Sequence, residues 1–246
     1  MNAERDTFAT DELAIVLSRY DLGDIQAVRE FPRGAKRAPK LVLETDKGTF
    51  LLKRRPAGPQ SDVAKVAFTH QIQRSLVAQN FPLPHMQGTR KANNSMLILD
   101  ETIYEMFEYV EGENYNAQPG ETYHSGHTQG LYHKLLEQFK TSYSPPTGSY
   151  HDAKAIRQMT SSAPENLKVG DDAQTAKAVS LIGMIGEAYD HSAEKVNRNG
   201  LSEWTKQIVH GDWHPGNMLF RNGKVVAVID YDTARFQQRV IDLANG

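Results

Sequence analysis

Residues 210–217 read HGDWHPGN, and residues 230–232 read DYD. Aspartate, asparagine and histidine so close together can hold a cation, move a proton or brace a loop. Between the two stretches runs NMLFRNGKVVAVID, where Asn222-Gly223 is a favoured two-residue hairpin turn. If Arg221 pairs with Lys224, the same register sets Asn217 opposite Val228 and Asp230 beside Pro215. The hairpin then returns Asp230 to the loop that carries Asp212 and Asn217. Two carboxylates and an amide oxygen in so small a volume need a cation or hydrogen bonds to offset their charge. Hard oxygen ligands favour Mg²⁺ or Ca²⁺ over zinc, and so few of them leave Mg²⁺ positions for water and phosphate oxygens. The chemistry this set suits is phosphoryl transfer.

Three other readings compete. His210, Asp212 and His214 could be zinc ligands, although an alternating H-x-D-x-H run on a tight loop rarely aims three side chains at one point. HPGN could be a turn and nothing more, since Pro-Gly is a common turn pair; that leaves the returning Asp230 unexplained. His210 could be a general base, but a packed histidine that positions the loop fits its place better.

The chain must hold these residues with 246 amino acids, 39% hydrophobic and 24% charged. That is an ordinary globular composition, enough for one large domain or two small lobes. The formal net charge of −2 gives no general attraction to nucleic acid or to an anionic membrane. Arg29, Arg33, Lys36, Arg37 and Lys40 are locally crowded and read as a solvated basic face. There is no cysteine, so disulfides, thiolate catalysis and cysteine-bound zinc are excluded. No leader-like pattern and no apolar run of ~20 residues is present, so the expected location is the cytoplasm.

The positioning elements follow from periodicity. Residues 11–19 predict a short helix capped by Thr10. KLVLETDKGTFLLKRR (40–55) predicts a hairpin around Asp46-Lys47-Gly48, with Thr49, Leu51 and Lys53 on one face and Phe50 and Leu52 on the other. Residues 62–80 predict a helix that FPLP stops. SMLILD and IYEMFEYVEG predict two more strands. Helices are expected over 123–140 and 172–196, the second with an apolar stripe at Ala178, Leu181, Ile182, Ile185, Ala188 and Tyr189. The expected fold class is therefore α+β: a β-rich lobe over 1–110 and a mainly helical lobe over 111–246, with a cleft between them.

VHGDWHPGNMLF followed by VVAVIDYD resembles the aminoglycoside phosphotransferase superfamily, which includes choline kinases, some homoserine kinases and spore-coat kinase-like proteins. These share the bilobal protein-kinase fold, in which the catalytic stretches read H-R-D-x-x-x-x-N and D-F-G. Here Gly211 replaces the arginine, the spacing from Asp212 to Asn217 is kept, and Asp230 heads DYD. The likeness runs through both lobes in order, and its specific part is this motif pair.

The resemblance implies an ATP- and Mg²⁺-dependent kinase for a small hydroxyl-bearing substrate, with no nucleic-acid or membrane partner. On that likeness Asp212 is the catalytic base and Asn217 and Asp230 hold Mg²⁺. Lys53 steadies the phosphates, Gly34 lets the covering loop approach them, and Phe107, Glu108 and Tyr109 hold adenine through their backbone. Asp242 in IDLAN corresponds to an aspartate that braces the catalytic loop. There are departures from the family pattern. FPRGAKRAPK (31–40) has one glycine where the covering loop is usually glycine-rich. The helix after Lys53 offers His70, Gln71 and Gln73 but no glutamate to pair with the lysine. The family runs on beyond IDLAN, so the C-terminal lobe is expected to be incomplete at Gly246, with the 172–196 stripe and the second hairpin partly exposed. The alternative function is a non-catalytic kinase fold used for binding or structure.

Overall fold

The computed structural model describes residues 5–55 and 62–246. Five antiparallel strands form one sheet in the order β1-β2-β3-β5-β4. They are β1 (Ile25–Glu30), β2 (Lys40–Thr45), β3 (Gly48–Arg54), β4 (Leu97–Leu99) and β5 (Thr102–Glu108). The β2–β3 hairpin has the expected register, with Leu41 opposite Leu52 and Thr45 opposite Gly48. Alternation then decides the faces. Phe50 and Leu52 are buried with Val16, Tyr20, Leu43, Tyr104 and Met106, while Leu51 and Lys53 face the other way, into a cleft.

Helix α1 (Thr10–Leu17) covers the buried face. Thr10 does not cap it, because the helix already begins there and Ala9 stands at the cap. Glu12 reaches back instead: its Oε2 accepts from the Ala9 N–H at 3.1 Å, and its Oε1 accepts from Arg54 at 2.9 Å and from the Tyr104 hydroxyl at 2.8 Å. A carboxylate one turn in, with two partners on the sheet, fixes the helix better than a threonine cap would.

Helix α2 (Val63–Val77) is capped by Asp62, whose Oδ1 accepts from the Ala64 N–H at 2.7 Å. Its buried residues Phe68, Ile72 and Leu76 do not join the core under α1. They pack with Tyr132, Trp213, Phe220 and Tyr231 from the second half of the chain.

That second half is mainly helical: α3 (Pro119–Leu135), α4 (Lys154–Asn166), α5 (Asp172–Arg198) and α6 (Val240–Asn245). Helix α3 starts earlier than periodicity predicts, with Pro119 in the first turn, where a missing N–H costs nothing. Helix α4 is not among the elements that periodicity predicts; it is polar on average and holds Pro164 in its interior. A polar clasp holds it to α5: Arg157 Nε donates to Asp190 Oδ1 at 2.6 Å. The α5 stripe is largely uncovered, and Leu181, Met184 and Ile185 are exposed. The second hairpin is not, because Met218, Phe220, Val225, Ala227 and Val228 are all buried. Among the described residues no helix is long and apolar enough to cross a membrane.

Four short strands frame the loops of interest: β6 (Lys206–Val209), β7 (Met218–Arg221), β8 (Lys224–Val228) and β9 (Arg235–Gln238). β6 pairs with β9, and β7 pairs with β8. Loop 210–217 therefore leaves β6 and enters β7, while segment 229–234 leaves β8 and enters β9. Both loops are pinned at both ends and must lie side by side.

The hairpin register corrects the sequence expectation by one residue. Arg221 pairs with Lys224, but a bulge follows, and Met218 faces Val228. Asn217 therefore lies opposite Ile229, whose N–H donates to the Asn217 carbonyl at 2.9 Å. The offset carries Asp230 on toward Gly216. A single unpaired residue, Val226, is enough to do this.

Phe220 is fully buried in this hairpin and stacks on Tyr115 at 5.7 Å between centroids. Its neighbour across the bridge, Glu113, exchanges backbone hydrogen bonds with it at 2.7 and 2.9 Å, which ties the segment after β5 to β7. Phe220→Ala is expected to lower stability by about 3–5 kcal/mol through the cavity it leaves, as measured by chemical denaturation.

Candidate active site

A cleft of about 600 Å³ opens between the sheet and the β7–β8 hairpin. Of the residues singled out from sequence, Gly34, Lys53, Phe107, Glu108, Tyr109, Asn217 and Asp230 all line it. Asp212 is joined to its edge through Asn217, whose Nδ2 donates to Asp212 Oδ2 at 2.8 Å and to the Asp212 carbonyl at 3.0 Å. With both amide protons turned to Asp212, the Oδ1 of Asn217 is its remaining acceptor. Asp230 sits at φ 65°, in the left-handed region that a non-glycine residue rarely adopts. Such strain concentrates at functional sites. Among the described residues the Asp230 carboxylate has no hydrogen-bond or ion-pair partner.

Gly34 has φ 86°, and a Cβ there would lie 2.5 Å from Lys40 Nζ. Lys40 Nζ donates to the Arg33 carbonyl at 3.2 Å, and Arg33 Nη1 donates to Asn114 Oδ1 at 2.8 Å, so the basic loop 31–39 is stitched across the cleft mouth. Part of the crowded basic patch thus belongs to the cleft and not to a solvated face. In the 107–109 segment two donors are already used. The Glu108 N–H donates to the His85 carbonyl and the Tyr109 N–H to the Thr49 carbonyl, each at 2.8 Å.

Asp242 holds loop 210–217. Its carboxylate is fully buried and accepts from the His210 N–H at 2.9 Å, the Gly211 N–H at 2.8 Å and His133 Nε2 at 2.9 Å. Gly211 has φ 77°, and a Cβ on it would lie 2.5 Å from the Thr233 carbonyl oxygen, so the position that is arginine in the kinase pattern must here be glycine. The Thr233 hydroxyl donates to the His210 carbonyl at 2.9 Å and fastens the two loops together.

His210 is a packed histidine. It is fully buried, its Nε2 hydrogen-bonds to the Ile229 carbonyl at 3.1 Å, and Tyr231 and Trp213 lie 5.0 and 5.6 Å away between ring centroids. His214 is half-exposed; its Nδ1 accepts from the Gly216 N–H at 3.0 Å and its Nε2 lies 3.6 Å from Asp212 Oδ2, while His210 is turned to the Ile229 carbonyl. The two histidines do not converge as the zinc reading requires. Among the described residues no three His, Asp or Glu side chains form a group able to hold a metal.

The helix after Lys53 offers it no glutamate, and two acidic partners come from elsewhere in the fold. Glu105 on β5 lies directly across from Lys53 on β3, with its Oε2 at 3.7 Å from Lys53 Nζ. Asp232 Oδ2 lies 3.0 Å from the same ammonium. Arg55 joins both, at 2.7 Å from Glu105 Oε2 and 2.7 Å from Asp232 Oδ1. His70 of α2 completes the set: its Nε2 meets Glu105 Oε1 at 2.7 Å and its Nδ1 meets the Ser95 hydroxyl at 2.8 Å. The helix therefore supports the lysine through a histidine, and the carboxylate comes from a strand. Glu105 is 1% exposed. Burial alone would raise its pKa, but the Lys53 charge, the His70 hydrogen bond and the Arg55 charge together hold it well below the usual carboxylate range. Its signal in the sequence is slight: one charged residue inside the apolar run IYEMF.

Two outcomes follow for the loop brace. Asp242→Ala strands two backbone N–H groups and His133, and is expected to cost about 3–5 kcal/mol in a denaturant titration. The second concerns pH. Burial pushes the His210 pKa down, and Asp242 and the Ile229 carbonyl only partly oppose it. In the unfolded chain the same histidine takes a proton below about pH 6.5. A group that is harder to protonate when folded loses stability as pH falls through its unfolded value, by up to about 1.4 kcal/mol per pH unit. His124 shifts in the same direction. Thermal unfolding at pH 7.5 and 5.5 should show this loss, and His210→Gln should make it smaller.

No curated protein matches the chain. Among solved structures, an aminoglycoside phosphotransferase from Alicyclobacillus acidocaldarius superposes with a TM-score of 0.70 at 19% identity, over 98% of this chain and 71% of that one. A microcompartment-associated aminopropanol kinase gives a TM-score of 0.70 at 15% identity, over 96% and 73%. The amicoumacin kinase hAmiN, in complex with AMP-PNP, Ca²⁺ and Ami, gives 0.67 at 12% identity, over 97% and 68%. At these identities the likeness is one of fold. The sequence match is more specific, for residues 27–245 match the phosphotransferase enzyme family, and the chain belongs to that family.

Proposed function

We propose that the protein is an ATP- and Mg²⁺-dependent kinase that transfers the γ-phosphoryl group to a hydroxyl of a small molecule. The observation that carries this reading is a single cleft. It gathers a lysine, an unpartnered carboxylate and an amide oxygen, with a second carboxylate hydrogen-bonded to that amide.

The donor set fits the metal. Asn217 Oδ1 and the Asp230 carboxylate are hard oxygen donors, few in number, on a water-accessible cleft, as Mg²⁺ requires when phosphates complete its shell. Bound there, Mg²⁺ would supply charge neutralisation on the transferring phosphate. The chain's own residues do the rest. Lys53, fixed by Glu105, presents its ammonium to the phosphates. Gly34 brings the backbone of the basic loop close to them. The 107–109 segment lines the place for the base. Asp212, oriented through its Oδ2 by Asn217, keeps Oδ1 to accept the proton of the acceptor hydroxyl. Positioning and charge dominate because the transition state for phosphoryl transfer is loose.

The relatives' names include an aminoglycoside and an aminopropanol, so hydroxyl compounds that also carry an amine are the first acceptors to screen. A thermal-shift screen with Mg²⁺-ATP should find a stabilising acceptor, and a coupled assay should then show turnover. Asp212→Asn is expected to keep ATP affinity and lose about 10²–10⁴-fold in turnover. Asp230→Asn should lose metal-dependent nucleotide binding. Full turnover by the first variant, or unchanged Mg²⁺-ATP affinity in the second, would remove that residue from its role. Ordered nucleotide binding without transfer to any acceptor would favour a non-catalytic kinase fold.

A further inference from the structure

Arg55 has no part in the roles above, yet it lines the same cleft beside Lys53. The two cations stand two residues apart at the end of β3 and share two carboxylates, Glu105 and Asp232, that differ in exposure. Glu105 is 1% exposed, sits on the neighbouring strand and is also held by His70. The Asp232 side chain is 36% exposed and rides on the short turn Tyr231–Thr233, directly after the strained Asp230. Glu105 fixes both cations but can neutralise only one charge. Asp232 takes the remainder, with one oxygen on each cation: Oδ2 at 3.0 Å from Lys53 Nζ and Oδ1 at 2.7 Å from Arg55 Nη2. An oxyanion with two oxygens bridging an ammonium and a guanidinium is the arrangement a phosphate group adopts.

We infer that Lys53 and Arg55 together form a two-cation seat for a phosphate of the nucleotide, and that the Asp232 carboxylate occupies this seat when no nucleotide is bound. This rests on the proposed kinase reading for the identity of the ligand. The seat itself rests on the four side chains. When phosphate enters, the Asp232 side chain rotates toward solvent, while its turn, held by buried Tyr231 and by Thr233 on the His210 carbonyl, stays in place with Arg55 and Lys53. No covalent step is involved; one anion replaces another. Occupation by Asp232 lowers the apparent affinity for phosphate by the fraction of molecules whose seat is open.

The test is a calorimetric titration of the full chain with Mg²⁺-ATP and, separately, with metal-free inorganic tripolyphosphate. Asp232→Asn and Asp232→Ala are expected to bind both ligands on the order of tenfold more tightly than the unaltered chain. Because Asp232 is partly exposed, both should unfold within a few degrees of it, and either one alone suffices if the other does not fold. In the Asp232→Ala background, Arg55→Met should abolish the gain and Arg55→Lys should retain part of it.

A change in long-range charge would also favour anions, but salt screens it over about 8 Å at 0.15 M and more strongly above that. The gain must therefore persist at 0.5 M salt; if it vanishes there, the seat is overturned. Unchanged affinity for both ligands in the Asp232 variants overturns it too, even if ATP binds and the kinase reading stands. A gain for tripolyphosphate with no binding of ATP by any variant supports the seat and removes the kinase reading. If neither ligand binds to any form, the seat is overturned.

Discussion

A buried carboxylate that must be matched by cations sets the order of the whole cleft. Glu105 lies within the sheet, out of reach of water, and an unpaired charge there would cost several kcal/mol. Lys53 from β3, Arg55 just beyond its end and His70 from α2 answer it. In doing so they fix three elements relative to one another: the central strand, the strand beside it and helix α2, which packs into the second core. Because two cations face one carboxylate, the site keeps a surplus of positive charge. That surplus is what draws Asp232, and with it the turn after Asp230, to the sheet. The turn after β8 is therefore held to the sheet through the same group that aligns the lysine.

The second constraint is steric and backbone-centred. Loop 210–217 keeps its shape because two of its own N–H groups are satisfied from below. Asp242 on α6 takes both, and His133 on α3 takes up the remaining capacity of that carboxylate. Gly211 permits the left-handed turn this needs, and the close Thr233 carbonyl leaves no room for a side chain. The strand pairs β6–β9 and β7–β8 then lock the two loops edge to edge. The two halves of the site are held by the same device, a buried carboxylate shared among elements that are distant in sequence.

Much of the cleft could be read from the chain, since its residues are placed by local rules. Alternation on β3 puts Lys53 on the face opposite Phe50 and Leu52. Asn222-Gly223 makes the hairpin that brings Asp230 back. Elsewhere local rules ran out. A bulge at Val226 shifts the pairing by one residue, and nothing in VVAVID marks which valine is left unpaired, because all are equally apolar. Thr10 looked like a cap until Glu12 proved to have partners on the sheet. Helix α4 is hard to read from the chain because it is polar on average and carries Pro164 in its interior, a residue that ordinarily argues against a helix.

The sequence alone determined which residues could do chemistry here and which hairpin would gather them, because turn residues and alternating polarity act over a few positions and need no distant partner. It also determined the family, through the motif pair from His210 to Asp232. Only the tertiary structure decided who pairs with Lys53. Glu105 is 52 positions away along the chain and Asp232 is 179, and charges so far apart in sequence meet only through the register of β3 against β5 and the path of the turn after β8. Ion pairing depends on distance in space, and a linear pattern does not contain that distance.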